Sequence, residues 1–270
     1  MAGAMSAAPS SGGTLRLRLV GGPTVVLEVG GVRLITDPTF DPPGSYDTGR
    51  GFSLTKLQGP AIGPEALGAL DAALVSHEHH FDNLDREGRA YLAAVPRILT
   101  SRSGAARLGD RAEGLAHWES TELGGPGASP SVTAVPALHG PGGTEDPGGD
   151  VIGFVLRGPA APTVYVSGDN ASLAVVREIA ARVGNPDVAI LHAGAAQVPP
   201  FGDALLTLSS EQSVEAARLL QPRYVVGVHI EGWGHFSEGA AELRKAFDDA
   251  RLGDRLVIPA PGETVALATG

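Results

Sequence analysis

The strongest constraint on this chain is a loop in which histidines crowd together directly after a short apolar segment. Residues 72–75 have the composition of a buried strand. His77, His79 and His80 follow that strand, and the carboxylate of Asp82 comes next. The chain holds eight histidines in all, so three within four positions are poorly explained by chance. Because the following residues have the pattern of an ordered turn into a helix, a solvated turn with adventitious metal affinity is the weaker interpretation.

Three further histidine or aspartate positions come at the ends of predicted strands. They are His139 after residues 131–136, Asp169 after 163–167 and His229 after 224–228. Considered alone, each residue can have a purely structural role, as a histidine of the core or of a turn or as a helix cap. Together, side chains from several strand ends can meet at one edge of a sandwich, where imidazole and carboxylate hold a divalent ion. The chain contains no cysteine, so nitrogen and oxygen must supply every ligand.

Hydrophobic patterning predicts an antiparallel meander at the start and alternating strands and helices later. The meander strands cover 15–19, 24–29 and 32–36, and a proline-rich segment then opens a long loop to about Pro60. Helices are predicted over 85–94, 170–183, 209–220 and 237–250. Further strands are predicted over 97–100, 131–136, 151–156, 163–167, 187–191, 224–228, 256–258 and 265–267. This order favours a layered α/β sandwich over an all-parallel sheet.

Length and charge narrow the classes of partner. With 270 residues, 43% of them hydrophobic, the chain is large enough for one sizeable core, and we expect a single domain over residues 14–270. Residues 1–13 lack a basic leader and an apolar stretch, which predicts a disordered lead-in to a cytoplasmic protein. The net charge of −10, with Lys56 and Lys245 as the only lysines, disfavours nucleic acid as a partner. No apolar run reaches the roughly 18 residues typical of a membrane span, so no membrane partner is expected.

These segments resemble the metallo-β-lactamase superfamily, in its wide branch of small soluble hydrolases. The histidine loop is similar to the HxHxDH signature, and the segment Val29 to Pro38 is similar to the first hairpin with its Asp-Pro turn. The later matches are Pro136-Ala137-Leu138-His139 for the third histidine, Ser167-Gly168-Asp169 for the bridging aspartate and Gly227-Val228-His229 for the last histidine. Matching segments run from about Leu15 to about Thr269. The resemblance therefore implies an α/β fold with the four-layer αββα sandwich of that superfamily.

The histidine loop departs from the family motif, because it is one residue longer and ends in Asn83 where the family has a histidine for its second metal. In the register we prefer, His77 and His80 bind the first metal and Asp82 faces the second. In the other register, His77 and His79 keep the first two histidine positions and His80 is extra. We prefer the first register because it leaves Asp82 at the aspartate position of the motif, and hydrolysis depends most on that carboxylate. Asn83 offers only a neutral amide oxygen, so the second metal is expected to be weaker, differently coordinated or absent.

The resemblance implies a metal-dependent hydrolase with one or two divalent ions, zinc first and manganese or iron as alternatives. The expected metal ligands are His77, His80, Asp82, His139, Asp169 and His229. Asp169 is expected to bridge the ions when both are present. Asp82 is the expected catalytic residue, which orients the attacking water and carries a proton to the leaving group.

Two further regions are candidates for contact with the site. Trp233 and His235 are predicted to touch substrate, because the aromatic segment 231–236 directly follows His229. That segment can equally be a structural turn, although substrate contact is favoured slightly. His192 ends a predicted strand. Two positions are left open for it: beside the metals, in contact with their ligands rather than bound to the ions, or away from the centre.

The ligands alone do not specify the substrate. Members of the superfamily hydrolyse lactones, phosphodiesters, thioesters and β-lactams, and we expect a small ester-like molecule, a lactone or a phosphodiester. The chain has no GxSxG elbow and no GxxxxGK[ST] loop, so serine-hydrolase and P-loop chemistry have no support. One alternative is a non-catalytic protein that keeps the sandwich fold and binds a ligand or partner. The altered Asn83 and the inserted residue in the histidine loop motivate it. A nuclease of the same superfamily requires a basic groove, and the charge balance argues against it.

Overall fold

The computed structural model describes residues 13–124, 130–143, 150–159 and 161–269. The lead-in predicted for residues 1–13 lies outside these ranges except for Gly13. The strands are β1 Thr14–Gly21, β2 Thr24–Val29, β3 Val32–Thr36, β4 Gly44–Asp47, β5 Ser53–Lys56, β6 Ala72–Leu74, β7 Ile98–Ser101, β8 Ala112–Leu115, β9 Ser120–Glu122, β10 Ser131–Pro136, β11 Ile152–Gly158, β12 Ala161–Val166, β13 Val188–His192, β14 Tyr224–Val228, β15 Leu256–Val257 and β16 Thr264–Ala268. The α-helices are α1 Arg86–Tyr91, α2 Arg102–Leu108, α3 Leu173–Val183, α4 Ser210–Leu220 and α5 Ala240–Asp249.

Two seven-stranded sheets form the centre of the fold. The first has the order β16-β1-β2-β3-β6-β7-β8, in which β1 to β3 are the predicted antiparallel meander and β3, β6, β7 and β8 run parallel. The second has the order β15-β14-β13-β12-β11-β10-β9, in which β12 to β15 run parallel. Parallel neighbours end at the same edge of a sheet, so the loops that follow them are brought together.

The sheets pack face to face with helices on their outer sides. Leu17 and Leu27 of the first sheet share one buried core with Phe154 and Val164 of the second. Burying a side chain of this size contributes about 1.5–3 kcal/mol, which makes this central layer the main source of stability. The outer face of the first sheet packs against α1, α2 and the turn after α1, and that of the second packs against α3, α4 and α5. The predicted four-layer αββα sandwich is confirmed.

Local capping explains where the predicted helices begin. Ser209 accepts a hydrogen bond from the backbone N–H of Gln212, while the Gln212 side chain accepts one from the Ser209 N–H. This reciprocal pair satisfies two backbone donors that a helix start leaves free. At the start of α1, the Asp85 carboxylate accepts one hydrogen bond, from the backbone N–H of Gly88. Within the described ranges, every helix is too short or too polar to span a bilayer.

The long loop predicted after the third strand contains a hairpin that the sequence pattern did not reveal. Strands β4 and β5 pair with each other as a separate two-stranded sheet. Lys56 at the end of β5 forms an isolated bridge with Trp233, and its ammonium lies 2.8 Å from Asp85 Oδ2 in a buried ion pair. These contacts fix the hairpin over the edge at which the parallel strands end.

Candidate metal centre

Five strand ends deliver the polar side chains of one cluster. They carry His77 after β6, His139 after β10, Asp169 after β12, His192 at the end of β13 and His229 after β14. Gly168 makes the turn before the aspartate at φ +57°, and a Cβ there would lie 2.5 Å from the Ile152 carbonyl oxygen. His229 has φ +55°, which is rare for a residue with a side chain and costs on the order of 1–3 kcal/mol. Its N–H donates to the Gly22 carbonyl at 2.9 Å, which holds the turn.

A first group consists of His77, His80 and His139, whose nearest ring nitrogens all lie within 4.8 Å of one another. His77 Nε2 is 3.1 Å from His80 Nδ1. One nitrogen of each of two rings is already engaged: His77 Nδ1 with the Ser76 hydroxyl at 2.9 Å, and His139 Nδ1 with the Leu206 carbonyl at 2.7 Å. Such bonds fix the ring orientation and leave the other nitrogen for a ligand.

Burial sets the protonation state of this first group. Desolvation, followed by the neighbouring imidazoles, holds the pKa of His77 and of His80 well below the ordinary value. Both rings are therefore neutral at neutral pH, and the neutral ring is the form that binds a metal.

A second group consists of Asp169, His192 and His229, whose donor atoms also lie within 4.8 Å of one another. His192 Nδ1 is 2.7 Å from Asp169 Oδ1, and His229 Nε2 is 3.7 Å from the same oxygen. Asp82 joins this group, because its Oδ2 lies 3.4 Å from His229 Nε2 and 3.0 Å from His235 Nε2. The structure thus brings together all six residues predicted as ligands, together with His192.

Asp169 lies between the two groups. Its Oδ2 is 3.9 Å from His77 Nε2 and 3.7 Å from His139 Nδ1, while its Oδ1 faces His192 and His229. Burial alone would raise the pKa of this carboxyl, but the surrounding imidazoles lower it below the ordinary value. The carboxylate is therefore ionised and faces both histidine groups.

The donor set fits a divalent ion. Asp169 Oδ2, His192 Nε2 and His229 Nε2 are buried and have no hydrogen-bond partner among the described residues. An unsatisfied buried polar atom costs about 1–3 kcal/mol, and several at one place call for a ligand. Seven of the eight histidines of the chain belong to this cluster or to its pocket, whereas His117 is exposed elsewhere. Imidazole with carboxylate is the donor chemistry of metal centres in hydrolases.

A pocket of about 210 Å³ opens beside the cluster. His79, His80, Asp82, His139 and His235 line its polar side. The apolar wall comes from Phe52, Leu54, Phe81, Ala196, Val198, Pro200, Phe201 and Leu206, with Thr48 and Arg50 from the turn of the hairpin. The length of the predicted loop was the only sequence signal for the hairpin residues, and nothing in the pattern of residues 193–208 indicated the opposite wall.

Of the two residues predicted to contact substrate, one lines the pocket and the other does not. His235 lines the pocket and reaches Asp82. Trp233 is buried behind the wall, with its ring 5.5 Å from that of Tyr46 and 5.6 Å from Lys56 Nζ, and it does not line this pocket. Trp233 supports the hairpin because its ring packs beneath β4 and β5. A direct contact between Trp233 and substrate stays a prediction.

Comparison with known proteins places the chain in a family. The model of the β-lactamase superfamily domain matches residues 32–230. The chain belongs to this superfamily. A metal-dependent hydrolase of Caldivirga maquilingensis is 25% identical over 257 residues, which are 93% of this chain and 97% of the relative. The N-acyl-phosphatidylethanolamine-hydrolyzing phospholipase D 1 of Caenorhabditis elegans is 27% identical over 243 residues, 83% of this chain and 65% of the relative.

Solved structures of the superfamily share the fold of this β-lactamase-superfamily protein. The isothiocyanate hydrolase from Delia radicum gut bacteria superposes with a TM-score of 0.79 at 23% identity, covering 94% of this chain and 100% of the other. That likeness shows the fold. The predicted superfamily and the predicted class, a metal-dependent hydrolase, are confirmed. The non-catalytic alternative is correspondingly disfavoured.

Proposed function

We propose that this protein is a metal-dependent hydrolase of a small lactone or a similarly compact carboxylic ester. The observation that carries the proposal is the pocket of about 210 Å³ beside the histidine cluster, with an apolar wall on one side and Asp82 on the other. Pockets that hold drug-sized ligands measure roughly 300–1,000 Å³, so this one suits a smaller molecule. An apolar wall binds the carbon skeleton of a neutral ester, whereas a highly charged substrate needs more fixed charges.

The proposed ligands are His77, His80 and His139 for a first ion and Asp82, Asp169 and His229 for a second. Zinc is the favoured ion, because imidazole and carboxylate donors without thiolate suit it, and manganese or iron are the alternatives. When bound, a divalent ion supplies a nucleophile by lowering the pKa of water and polarises the oxygen of the scissile bond. The proximity of His77, His80 and His139, and that of Asp169 and His229, supports this assignment. For Asp82 the support is the 3.4 Å between its Oδ2 and His229 Nε2.

Asp82 is the proposed catalytic carboxylate. Although burial opposes ionisation, the neighbouring imidazoles of His229 and His235 hold the pKa of Asp82 well below the ordinary value, so it is ionised at neutral pH. An ionised carboxylate that lines the pocket can accept a proton from the attacking water and return it to the leaving alcohol. His235 orients Asp82 Oδ2 at 3.0 Å.

A phosphodiester is the second candidate substrate. Arg50 lines the pocket, and a guanidinium favours a phosphate oxygen. The Caenorhabditis elegans relative is, by its name, a phospholipase D that hydrolyses a phospholipid. The larger apolar wall is the reason for ranking the lactone first.

Turnover of a matched substrate panel tests the proposal. Zinc-loaded protein is assayed with lactones that carry acyl chains of increasing length and, in parallel, with bis(p-nitrophenyl) phosphate. We expect kcat/KM to be highest for a short-chain lactone and kcat to fall about 10²–10⁴-fold in Asp82→Asn. His117→Ala is the matched histidine control and keeps wild-type turnover. A higher kcat/KM for the phosphodiester would favour the second candidate, and hydrolysis of neither class would overturn both.

A further inference from the structure

His192 is a buried histidine that the family resemblance leaves without a role. It is completely buried at the end of β13, between the ends of β12 and β14. Neighbouring strands lie about 4.8 Å apart, so residues at or just beyond the ends of three adjacent parallel strands come close together. Here they are Asp169, three residues beyond β12, His192, the last residue of β13, and His229, directly after β14. Their donor atoms lie within 4.8 Å of one another, and the His192 and His229 rings are 5.1 Å apart.

Asn83 occupies the position at which the resembled motif has a histidine. Its side-chain Nδ2 donates to Asp169 Oδ1 at 3.3 Å, so the amide approaches the centre through a donor that cannot bind a cation. Its Oδ1 is buried and accepts no hydrogen bond from the described residues. A neutral amide oxygen is a weak ligand for the metals that imidazole prefers. The second group is therefore one imidazole short of the family pattern.

The geometry points to His192 as the ligand that takes the place of that missing imidazole. Its Nδ1 lies 2.7 Å from Asp169 Oδ1, the oxygen that also faces His229, and its Nε2 is buried with no hydrogen-bond partner among the described residues. A buried Nε2 without a partner costs free energy that packing alone does not repay. As a ligand, His192 restores a second site with two imidazoles and two carboxylates, from His192, His229, Asp82 and Asp169.

The alternative is that His192 only orients Asp169 through its hydrogen bond. A donor of similar position fulfils that purpose, whereas a ligand needs the imidazole itself. His192→Asn separates the two, because an asparagine amide can still donate to Asp169 but is a poor metal ligand. Losing a residue that only hydrogen-bonds to a metal ligand lowers metal affinity by about 10–100-fold. A larger loss of affinity therefore identifies a residue that binds the metal itself.

The inference rests on the proposed metal centre, and metal stoichiometry tests it without reference to any substrate. Purified full-length protein and its variants are dialysed against Zn²⁺, and bound zinc per chain is measured by elemental analysis. We expect two ions in the wild type, in Asn83→Ala and in the His117→Ala control. In His192→Asn we expect the first ion to remain and the affinity for the second to fall more than about 100-fold.

A rescue variant completes the test. In the double variant His192→Asn with Asn83→His, the imidazole returns at the family position, and the second ion is expected to return with it. Circular dichroism verifies that each variant is folded. If His192→Asn does not fold, Asn83→Ala still tests the premise that the Asn83 amide is not a ligand, because loss of the second ion in that variant overturns the inference. A single ion in the wild type, loss of the second ion in Asn83→Ala, or two tightly bound ions in His192→Asn would overturn the inference.

Discussion

His235 Nε2 lies 3.0 Å from Asp82 Oδ2, and both side chains face the apolar pocket. The imidazole comes from the segment after β14 and the carboxylate from the loop after β6, so this contact joins the two sheets at the candidate centre. Because partners of this kind orient a carboxylate, we expect His235→Ala to lower kcat by about 10–100-fold without loss of the first metal ion. Steady-state kinetics with parallel metal analysis measures both. Wild-type kcat in this variant would show that Asp82 is held by other contacts.

The only two lysines of the chain provide a matched pair for stability. Lys56 is buried and pairs with Asp85, whose oxygens also accept the backbone N–H groups of Phe40 and Asp41. We expect Lys56→Met to lower the free energy of unfolding by about 3–5 kcal/mol, because it leaves a buried carboxylate without its cation. Urea denaturation measures this change.

Lys245→Met is the control for that variant. Lys245 pairs with Asp249 on the exposed face of α5, one helical turn away. Pairs of this type contribute only about 0.3–0.5 kcal/mol. Equal losses of stability in both variants would contradict the role assigned to the buried pair, which is to hold the hairpin over the pocket.

Asp37 predicts a pH dependence in the metal-free protein. Desolvation raises the pKa of its carboxyl to about 8, in spite of the hydrogen bond that its Oδ1 accepts from Ser76 N–H. The unfolded chain releases this proton from about pH 4, whereas the folded chain keeps it until about pH 8. Stability from this group is therefore fully present below about pH 4 and is lost as the pH rises towards 8.

Asp37→Asn cannot ionise and keeps an oxygen for Ser76. We expect its free energy of unfolding, relative to the wild type, to increase steadily from about pH 5 to about pH 8. Denaturation in the presence of a chelator at several pH values measures the difference. A difference that is constant with pH would mean that Asp37 is already ionised in the folded protein.

Pocket size predicts substrate length. Phe201 lines the apolar wall, so Phe201→Ala enlarges the pocket and is expected to raise kcat/KM for lactones with longer acyl chains relative to short ones. Each additional methylene that the enlarged pocket holds is expected to contribute about 1–3 kcal/mol of binding free energy. This corresponds to a change of about 10–200-fold in the ratio of kcat/KM for long-chain to short-chain lactones. Leu57→Ala is the control, because Leu57 is exposed outside the pocket. An unchanged chain-length profile in Phe201→Ala would place the acyl group elsewhere.

The strands that carry the site could be predicted because alternation and turn residues mark them. Strands β2, β3, β10 and β14 have the predicted bounds. The C-terminal ends of β10 and β14 then locate His139 and His229 without knowledge of the tertiary fold. The same reasoning left His192 undecided, because its position beside Asp169 depends on the order of β12 and β13 in the sheet.

The hairpin and the pocket wall could not be predicted from local pattern. In β4 only Tyr46 is buried, and β5 is too short to show a clear period. Their pairing depends on Trp233, which is distant in the sequence and reaches the hairpin only in the folded chain. Helix α2 and strand β8 were missed for a related reason, since each has few buried positions. Tertiary contacts decide these elements.

Activity before and after complete removal of metal tests the central claim most directly. The protein is treated with a chelator, residual metal is measured by elemental analysis, and turnover of its best lactone is recorded before treatment, after it, and after Zn²⁺ is restored. We expect activity to disappear with the metal and to return with zinc, while His117→Ala behaves as the wild type. Full turnover in protein verified to contain no metal would contradict the account.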